Sequence, residues 1–192
     1  QVTALDANNN TADFTGNVTL AIGTNPGSGT LSGTSTVAAV GGVATFSNLS
    51  IDKAGSGYTL DATSNGLAGA GSDGFDITAA AATQLVFTGQ PTDAAVNAPI
   101  TPPVVVTAQD QFGNTVTTFA STVTVSITPL TGNPLGQLNG TVMITAIAGV
   151  ATFSDLSITA SNTDLSLPPY RLTAGAGGGL SDGFSNTFNI TP

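Results

Sequence analysis

Gly149-Val150-Ala151-Thr152-Phe153-Ser154-Asp155-Leu156-Ser157-Ile158 restates, with one substitution, Gly42-Val43-Ala44-Thr45-Phe46-Ser47-Asn48-Leu49-Ser50-Ile51. A block repeated at this distance points to two copies of one module rather than to a single large domain. Within the block the apolar phase slips: Phe46 sits at an even position, while Leu49 and Ile51 sit at odd ones. A strand that buries all three needs a bulge or bend near Ser47–Asn48.

Outward from the block, the correspondence runs from Val2–Thr78 to Val106–Thr191. Val2-Thr3-Ala4-Leu5-Asp6 matches Val106-Thr107-Ala108-Gln109-Asp110, Tyr58-Thr59-Leu60 matches Tyr170-Arg171-Leu172, and Phe75-Asp76-Ile77-Thr78 matches Phe188-Asn189-Ile190-Thr191. The spacing between partners widens along the chain, so the second copy carries insertions, near Leu130–Gly136 and near Asn162–Pro169. Insertions between apolar runs are expected to be loops.

The runs alternate with period two. Val18, Leu20 and Ile22 share one face, as do Val123, Val125 and Ile127, and as do Tyr170, Leu172 and Ala174. This is the pattern of an antiparallel sheet with one buried side. In the second copy, strands are expected near 84–89, 103–110, 121–128, 137–147, 149–159, 169–175 and 184–191, a spacing that suits a β-sandwich. Gly175–Gly179 reads as a hairpin turn, because it lacks the Lys of a phosphate loop.

Composition agrees. Charged residues make up 7% of the 192, against roughly 25% in an ordinary soluble domain. All 11 acidic residues are Asp, and Lys53 and Arg171 are the only cations. The chain therefore lacks the usual exposed helix formers and is rich in Thr and Val, which suit pleated surfaces. The fold class expected is all-β.

The same composition excludes function classes. A net charge of −9 with two cations cannot neutralise nucleic-acid phosphates or draw the chain to an anionic membrane. No apolar run approaches the roughly 20 residues needed to cross a bilayer as a helix. With no His and no Cys, neither a His-activated nucleophile nor a Cys/His zinc site can be built, and no disulfide framework exists. The Asp residues stand in turn-like contexts, so the chain reads as non-enzymatic, with no catalytic, cofactor-binding or metal residues assigned.

Asp110-x-x-Gly113-Asn114-x-Val116, then Gly149-Val-Ala-Thr-Phe, then Tyr170-x-Leu-Thr-Ala, resembles the tandem Ig-like (Big, invasin-type) repeats of large bacterial surface and secreted proteins. The resemblance covers essentially the whole chain. It implies two tandem Ig-like antiparallel β-sandwiches, at 1–79 and 80–192, joined by a short Ala-rich stretch with limited swing. It further implies a structural repeat of an extracellular stalk, fibre or surface layer, whose partners are neighbouring Ig-like repeats in the same chain or adjacent subunits. The alternative is an adhesin module binding glycan or protein through its end loops, with the two insertions as candidate loops. In the Ig fold a corner Tyr lies two residues before a pinned Cys; Tyr58 and Tyr170 fit that position, with Leu60 and Leu172 in place of the Cys.

The first copy has no counterpart of Thr83–Pro103 and is expected to lack its opening strand. Either residues upstream of Gln1 supply it, since the chain reads as an excerpt or a processed product, or a neighbouring subunit does so by β-augmentation. Calcium is the one cofactor class left open. Asp6-x-Asn8-x-Asn10 begins like an EF-hand loop, but Thr11 stands at the Gly position and Asn17 at the bidentate Glu. Asp6 and Asp110 are instead expected to cap turns. Asp73, Asp76 and Asp182, near the module ends, are the other candidates for an ion. Five Asn-x-Ser/Thr sequons, at Asn9, Asn17, Asn48, Asn139 and Asn189, permit glycosylation. Adding millimolar Ca²⁺ is expected to leave the melting temperature unchanged in a calorimetric scan; an upward shift would reassign the Asp-rich turns as ligands.

Overall fold

Runs such as Asn17–Ile22 and Thr122–Ile127 place large apolar residues at alternate positions, and both form strands with the same in-out order of burial. In the computed structural model, which describes residues 1–163 and 166–192, every regular element is a β-strand. The chain divides into two compact units, Gln1–Thr78 and Ala79–Pro192.

In the second unit Gln84–Gly89, Val104–Gln109 and Val150–Phe153 form one antiparallel sheet, with Val104–Gln109 in the centre. The other sheet runs Met143–Thr145, Thr122–Ile127, Leu172–Gly175, Gly183–Phe184. Leu85, Phe87, Val104, Val106, Ala151 and Phe153 of the first face Val123, Val125, Leu172 and Ala174 of the second in one continuous core. Ala94–Ala95 pairs in parallel with Ile190–Thr191. The result is an Ig-like sandwich.

Three long strand expectations are broken in the structure. The 137–147 run splits into Leu138–Asn139 and Met143–Thr145, the 149–159 run into Val150–Phe153 and Ser157–Ile158, and the last run into Gly183–Phe184 and Ile190–Thr191. The first break has a local cause. Gly140 takes φ +98°, and a Cβ there would meet the Asp155 carbonyl oxygen at 2.4 Å. Asp155 Oδ1 accepts the Thr141 N–H at 2.9 Å, and Oδ2 accepts its hydroxyl. The second break is the expected bend. Before it the chain pairs with Val104–Thr107; after it, with Leu138–Asn139. The slip in apolar phase therefore carries the chain from one pairing partner to another. In the first unit Asn48 replaces Asp155 and accepts the Thr34 N–H at 3.0 Å.

The repeated Gly has its own explanation. Val40 and Val43 bridge around Gly41 and Gly42, and Ile147 and Val150 around Ala148 and Gly149. All four central residues have positive φ, the signature of a two-residue hairpin turn. A Cβ on Gly42 or Gly149 would strike the carbonyl oxygen of Ala12 or Val116. The Gly-rich segment also forms a hairpin turn, between Leu172–Gly175 and Gly183–Phe184, with Gly177, Gly178 and Gly179 left-handed.

Both tyrosines make the corner. The Tyr58 hydroxyl donates to the Lys53 carbonyl and that of Tyr170 to the Ala160 carbonyl, each at 2.9 Å. Both rings are fully buried, and each has its centroid about 6 Å from that of a phenylalanine on a following segment, Phe75 for Tyr58 and Phe188 for Tyr170.

The first unit repeats this framework with a thinner core. Its sheet runs Thr36–Ala38, Asn17–Ile22, Leu60–Ser64, Ala70–Gly71, and Val2–Thr3 pairs only with Val43–Ala44. The buried cluster is Val18, Leu20, Ala39, Ala44 and Ala62, with Val2, Phe46, Leu49 and Leu60 only partly covered. Their equivalents Val106, Phe153, Leu156 and Leu172 are completely buried. Leu156→Ala should destabilise the second unit by about 2–5 kcal/mol, the usual cost of a core truncation, and Leu49→Ala should cost the first unit distinctly less. Hydrogen exchange under denaturant, read separately on amides of each unit, checks the difference.

Candidate functional site

The feature that separates the units is an open edge on the first one. In the second unit, Gln84–Gly89 lies along Val104–Gln109 with Leu85 opposite Ala108, Val86 opposite Thr107 and Phe87 opposite Val106. On its other side the Leu85 N–H donates to the Ser181 carbonyl at 3.0 Å, and the Ser181 N–H to the Thr83 carbonyl at 2.9 Å. Leu85 and Phe87 thereby fill the gap between the sheets.

In the first unit that place is a recess. Gln1, Val2, Thr3, Leu20, Phe46, Leu49, Leu60, Ala62 and Phe75 help line a cavity of about 500 Å³. A second cavity of about 230 Å³ shares Val2, Thr3, Ala62 and Ala70 with it and reaches Leu5 and Leu67. Leu5 is 51% and Leu67 41% exposed. No charged side chain lines either cavity; the walls combine apolar side chains with uncharged polar ones such as Thr3, Thr63, Ser64 and Ser72.

The two matching turns are caps, as expected. Asp6 Oδ1 accepts the N–H groups of Asn8 at 2.9 Å and Asn10 at 2.8 Å. Asp110 Oδ1 accepts those of Phe112 and Asn114, each at 2.9 Å, while its Oδ2 takes the Asn114 amide and the Ala80 N–H. The environments differ: Asp110 is fully buried, Asp6 exposed. Burial alone would raise the Asp110 pKa, but the hydrogen bonds from Asn114, Ala80 and Phe112 outweigh it and hold the carboxyl below its ordinary value. Hydrogen bonds from Asn10 and Asn8 lower Asp6 likewise. Asp76 is occupied within its unit, accepting the Ser56 hydroxyl at 2.6 Å and the Gly57 N–H at 3.0 Å. Among the described residues no group of three or more acidic side chains is placed to hold a metal ion.

The insertions of the second unit converge beside the Tyr170 corner. Gly132 and Gly136 lie so close to the Tyr170 ring and hydroxyl that any Cβ would collide. The Asn133 amide donates to the Ser161 carbonyl at 2.9 Å, tying one insertion to the start of the other. Asn162 is buried; its Oδ1 accepts the Ile190 N–H, and its amide donates to the Pro168 carbonyl and to Asn189 Oδ1. Asp164 and Leu165 of the second insertion lie outside the described residues. The first insertion carries Leu130 and Leu135, 99% and 82% exposed. Of the sequons, Asn48 and Asn189 have their amide groups engaged in the fold.

The edge cavities had no signal in any single motif. Their trace in the sequence is the missing counterpart of Thr83–Pro103, and their walls are core residues shared with the second copy. No protein-family model matches the chain, and no curated protein matches it. Among solved structures, the D0-D1 domain of intimin is similar at 16% identity and a TM-score of 0.38, over 99% of this chain and 88% of that one.

Asp110→Ala should destabilise the second unit by about 2–3 kcal/mol, because it leaves buried donors unpaired. Since the carboxyl is held below the unfolded-chain value of about 3.9, its contribution is present above that pH and is lost as pH falls through the lower folded value. Acid unfolding followed by near-ultraviolet circular dichroism should therefore begin at higher pH in the variant.

Proposed function

We propose that the chain is a structural segment of an extracellular, surface-exposed bacterial stalk, fibre or surface-layer protein, built of Ig-like repeats and without catalytic activity. The observation that carries this reading is the parallel pair Ala94–Ala95 with Ile190–Thr191. It joins an early strand of the second unit to its last. The Ala94 N–H donates to the Asn189 carbonyl at 3.1 Å, the Val96 N–H to the Thr191 carbonyl at 2.9 Å, and the Asn189 N–H to Asp93 Oδ1 at 2.7 Å. Because the two strands run the same way, tension applied at opposite ends of the unit slides one along the other. The bonds are then loaded together in shear instead of being unzipped singly. A module with this arrangement suits mechanical extension, and it achieves it without a disulfide. In this reading assembly runs through the open edge of the first unit, by strand complementation with a neighbouring repeat.

A second reading, an adhesin module recognising glycan or protein, draws support from the bare side chains of Leu130 and Leu135 on the loop beside the Tyr170 corner.

Pulling the chain from its ends in a force spectrometer should give two rupture events. They should release about 270 Å and about 400 Å of contour length for the 78 and 114 residues of the two units, at roughly 3.5 Å per residue. Ala94→Pro, which removes one donor of the parallel pair, should lower the force of the longer event alone. Extension without resolvable peaks would sink the stalk reading. Saturable glycan or protein binding that Leu130→Ser and Leu135→Ser abolish would favour the adhesin.

A further inference from the structure

We propose that the second insertion of the second unit is a force-bearing latch, in which Asn162 positions the strand Ile190–Thr191 and holds it against axial slip. This rests on the stalk reading for its setting and gives the insertion a mechanical role in place of ligand recognition.

Successive residues of a strand turn their backbone groups to opposite flanks. On one flank the Asn189 carbonyl accepts the Ala94 N–H at 3.1 Å and the Thr191 carbonyl accepts the Val96 N–H at 2.9 Å. Ile190 turns the other way. Among the described residues Ile190–Thr191 has one strand neighbour, Ala94–Ala95, so its far flank is an edge. Asn162 occupies that flank. Its N–H donates to the Ile190 carbonyl at 3.0 Å, and its Oδ1 accepts the Ile190 N–H at 2.6 Å. One residue thus supplies both the donor and the acceptor of a neighbouring strand, with a side-chain oxygen acting for a backbone carbonyl. The amide nitrogen is engaged too, donating to the Pro168 carbonyl at 3.2 Å and to Asn189 Oδ1 at 3.0 Å. Asn162 is 3% exposed, so each of these bonds is costly to leave unmade. Asp in its place would set a carboxylate against two oxygens, and Ala would leave the Ile190 N–H bare.

A latch carries load only if its own base is fixed. The three residues ending in Asn162 are held one after another. The Ala160 carbonyl accepts the hydroxyl of buried Tyr170, and the Ser161 carbonyl accepts the Asn133 amide, each at 2.9 Å. Asn133 lies in the first insertion, so both insertions brace one strand. The first unit, without them, holds Phe75–Ile77 by direct pairing with Gly55–Tyr58, Ile77 opposite Gly55. The second unit keeps the bridge between Tyr170 and Phe188, but Asn162 stands toward Ile190 where Gly55 stands toward Ile77. Under tension Ile190–Thr191 cannot slide along Ala94–Ala95 without also breaking both bonds to Asn162. Bonds on two flanks are then loaded together.

The test pulls the 192-residue chain in a force spectrometer. Asn162→Ala should lower the force of the longer rupture event and leave the shorter one unchanged. The unfolding rate of the second unit under load should rise about tenfold or more, the scale of one buried donor left unpaired. Near-ultraviolet circular dichroism of the tyrosines verifies that the variant is folded, and hydrogen exchange should show the Ile190 amide released. If the substitution unfolds the unit, Asn133→Ala, which loosens only the base of the latch, carries the same test with a smaller drop in force. The discriminating measurement moves the point of attachment. With the handle on a cysteine replacing Asn186, an exposed residue, tension bypasses Ile190–Thr191, and Asn162→Ala should no longer change the force. Unchanged end-to-end force in the folded variant would overturn the proposal. So would an equal loss of force with the handle at 186, which would make Asn162 a packing residue only. A parent chain that gives no resolvable rupture sinks the stalk reading and the latch with it; a parent that ruptures normally, indifferent to Asn162, sinks the latch alone.

Discussion

Closure of the space between the sheets by Leu85 and Phe87 is the contact on which the rest of the second unit depends. With that strand in place, Val106, Phe153, Leu156, Leu172 and Ile190 lose all contact with water. Without it, the same residue types in the first unit stay partly wet. Burial of apolar surface is the dominant favourable term in folding, so a single strand of six residues decides how much of an otherwise shared framework becomes core. It decides the polar interior as well. Asp110 is buried and reached by the Ala80 N–H, a residue on the approach to that strand; Asp6, in the same turn, remains at the surface.

The chain meets its polar demands with almost no ionic side chains. Thr and Asn do the work that Lys and Glu perform elsewhere. Hydroxyl pairs link neighbouring strands, as between Thr19 and Thr36 or Thr128 and Thr173, and amides close loops, as Asn25 does across Gly29 and Asn133 across to Ser161. Among the described residues no buried side-chain nitrogen or oxygen lacks a partner. Such short, locally held groups lose little rotamer freedom on folding compared with long charged chains, and their bonds are insensitive to ionic strength.

Much of this was legible in the sequence. The all-β class, the faces of Asn17–Ile22 and Thr122–Ile127, the corner tyrosines, the caps at Asp6 and Asp110 and the bend after Phe153 all follow from side-chain type and spacing, because each depends on residues close in sequence. Strand lengths were less legible. The breaks near Gly140 and Asp155 arise from a contact between segments some 15 residues apart, which periodicity cannot register. The groove lay further from view. Phe46 and Leu49 are written as core residues, and only the absence of a covering strand leaves them open. The demand for Gly at 183 is set by a carbonyl about 100 residues away.

The corner tyrosines have a use beyond packing. The chain contains two tyrosines and no tryptophan, and the structure puts one at the same buried corner of each unit, its hydroxyl fixed to a backbone carbonyl. The strongest near-ultraviolet absorbers in the molecule are therefore two copies of a single microenvironment. Replacing either with phenylalanine would leave a spectrum that belongs to one unit alone, and an intrinsic label for each half without any added dye.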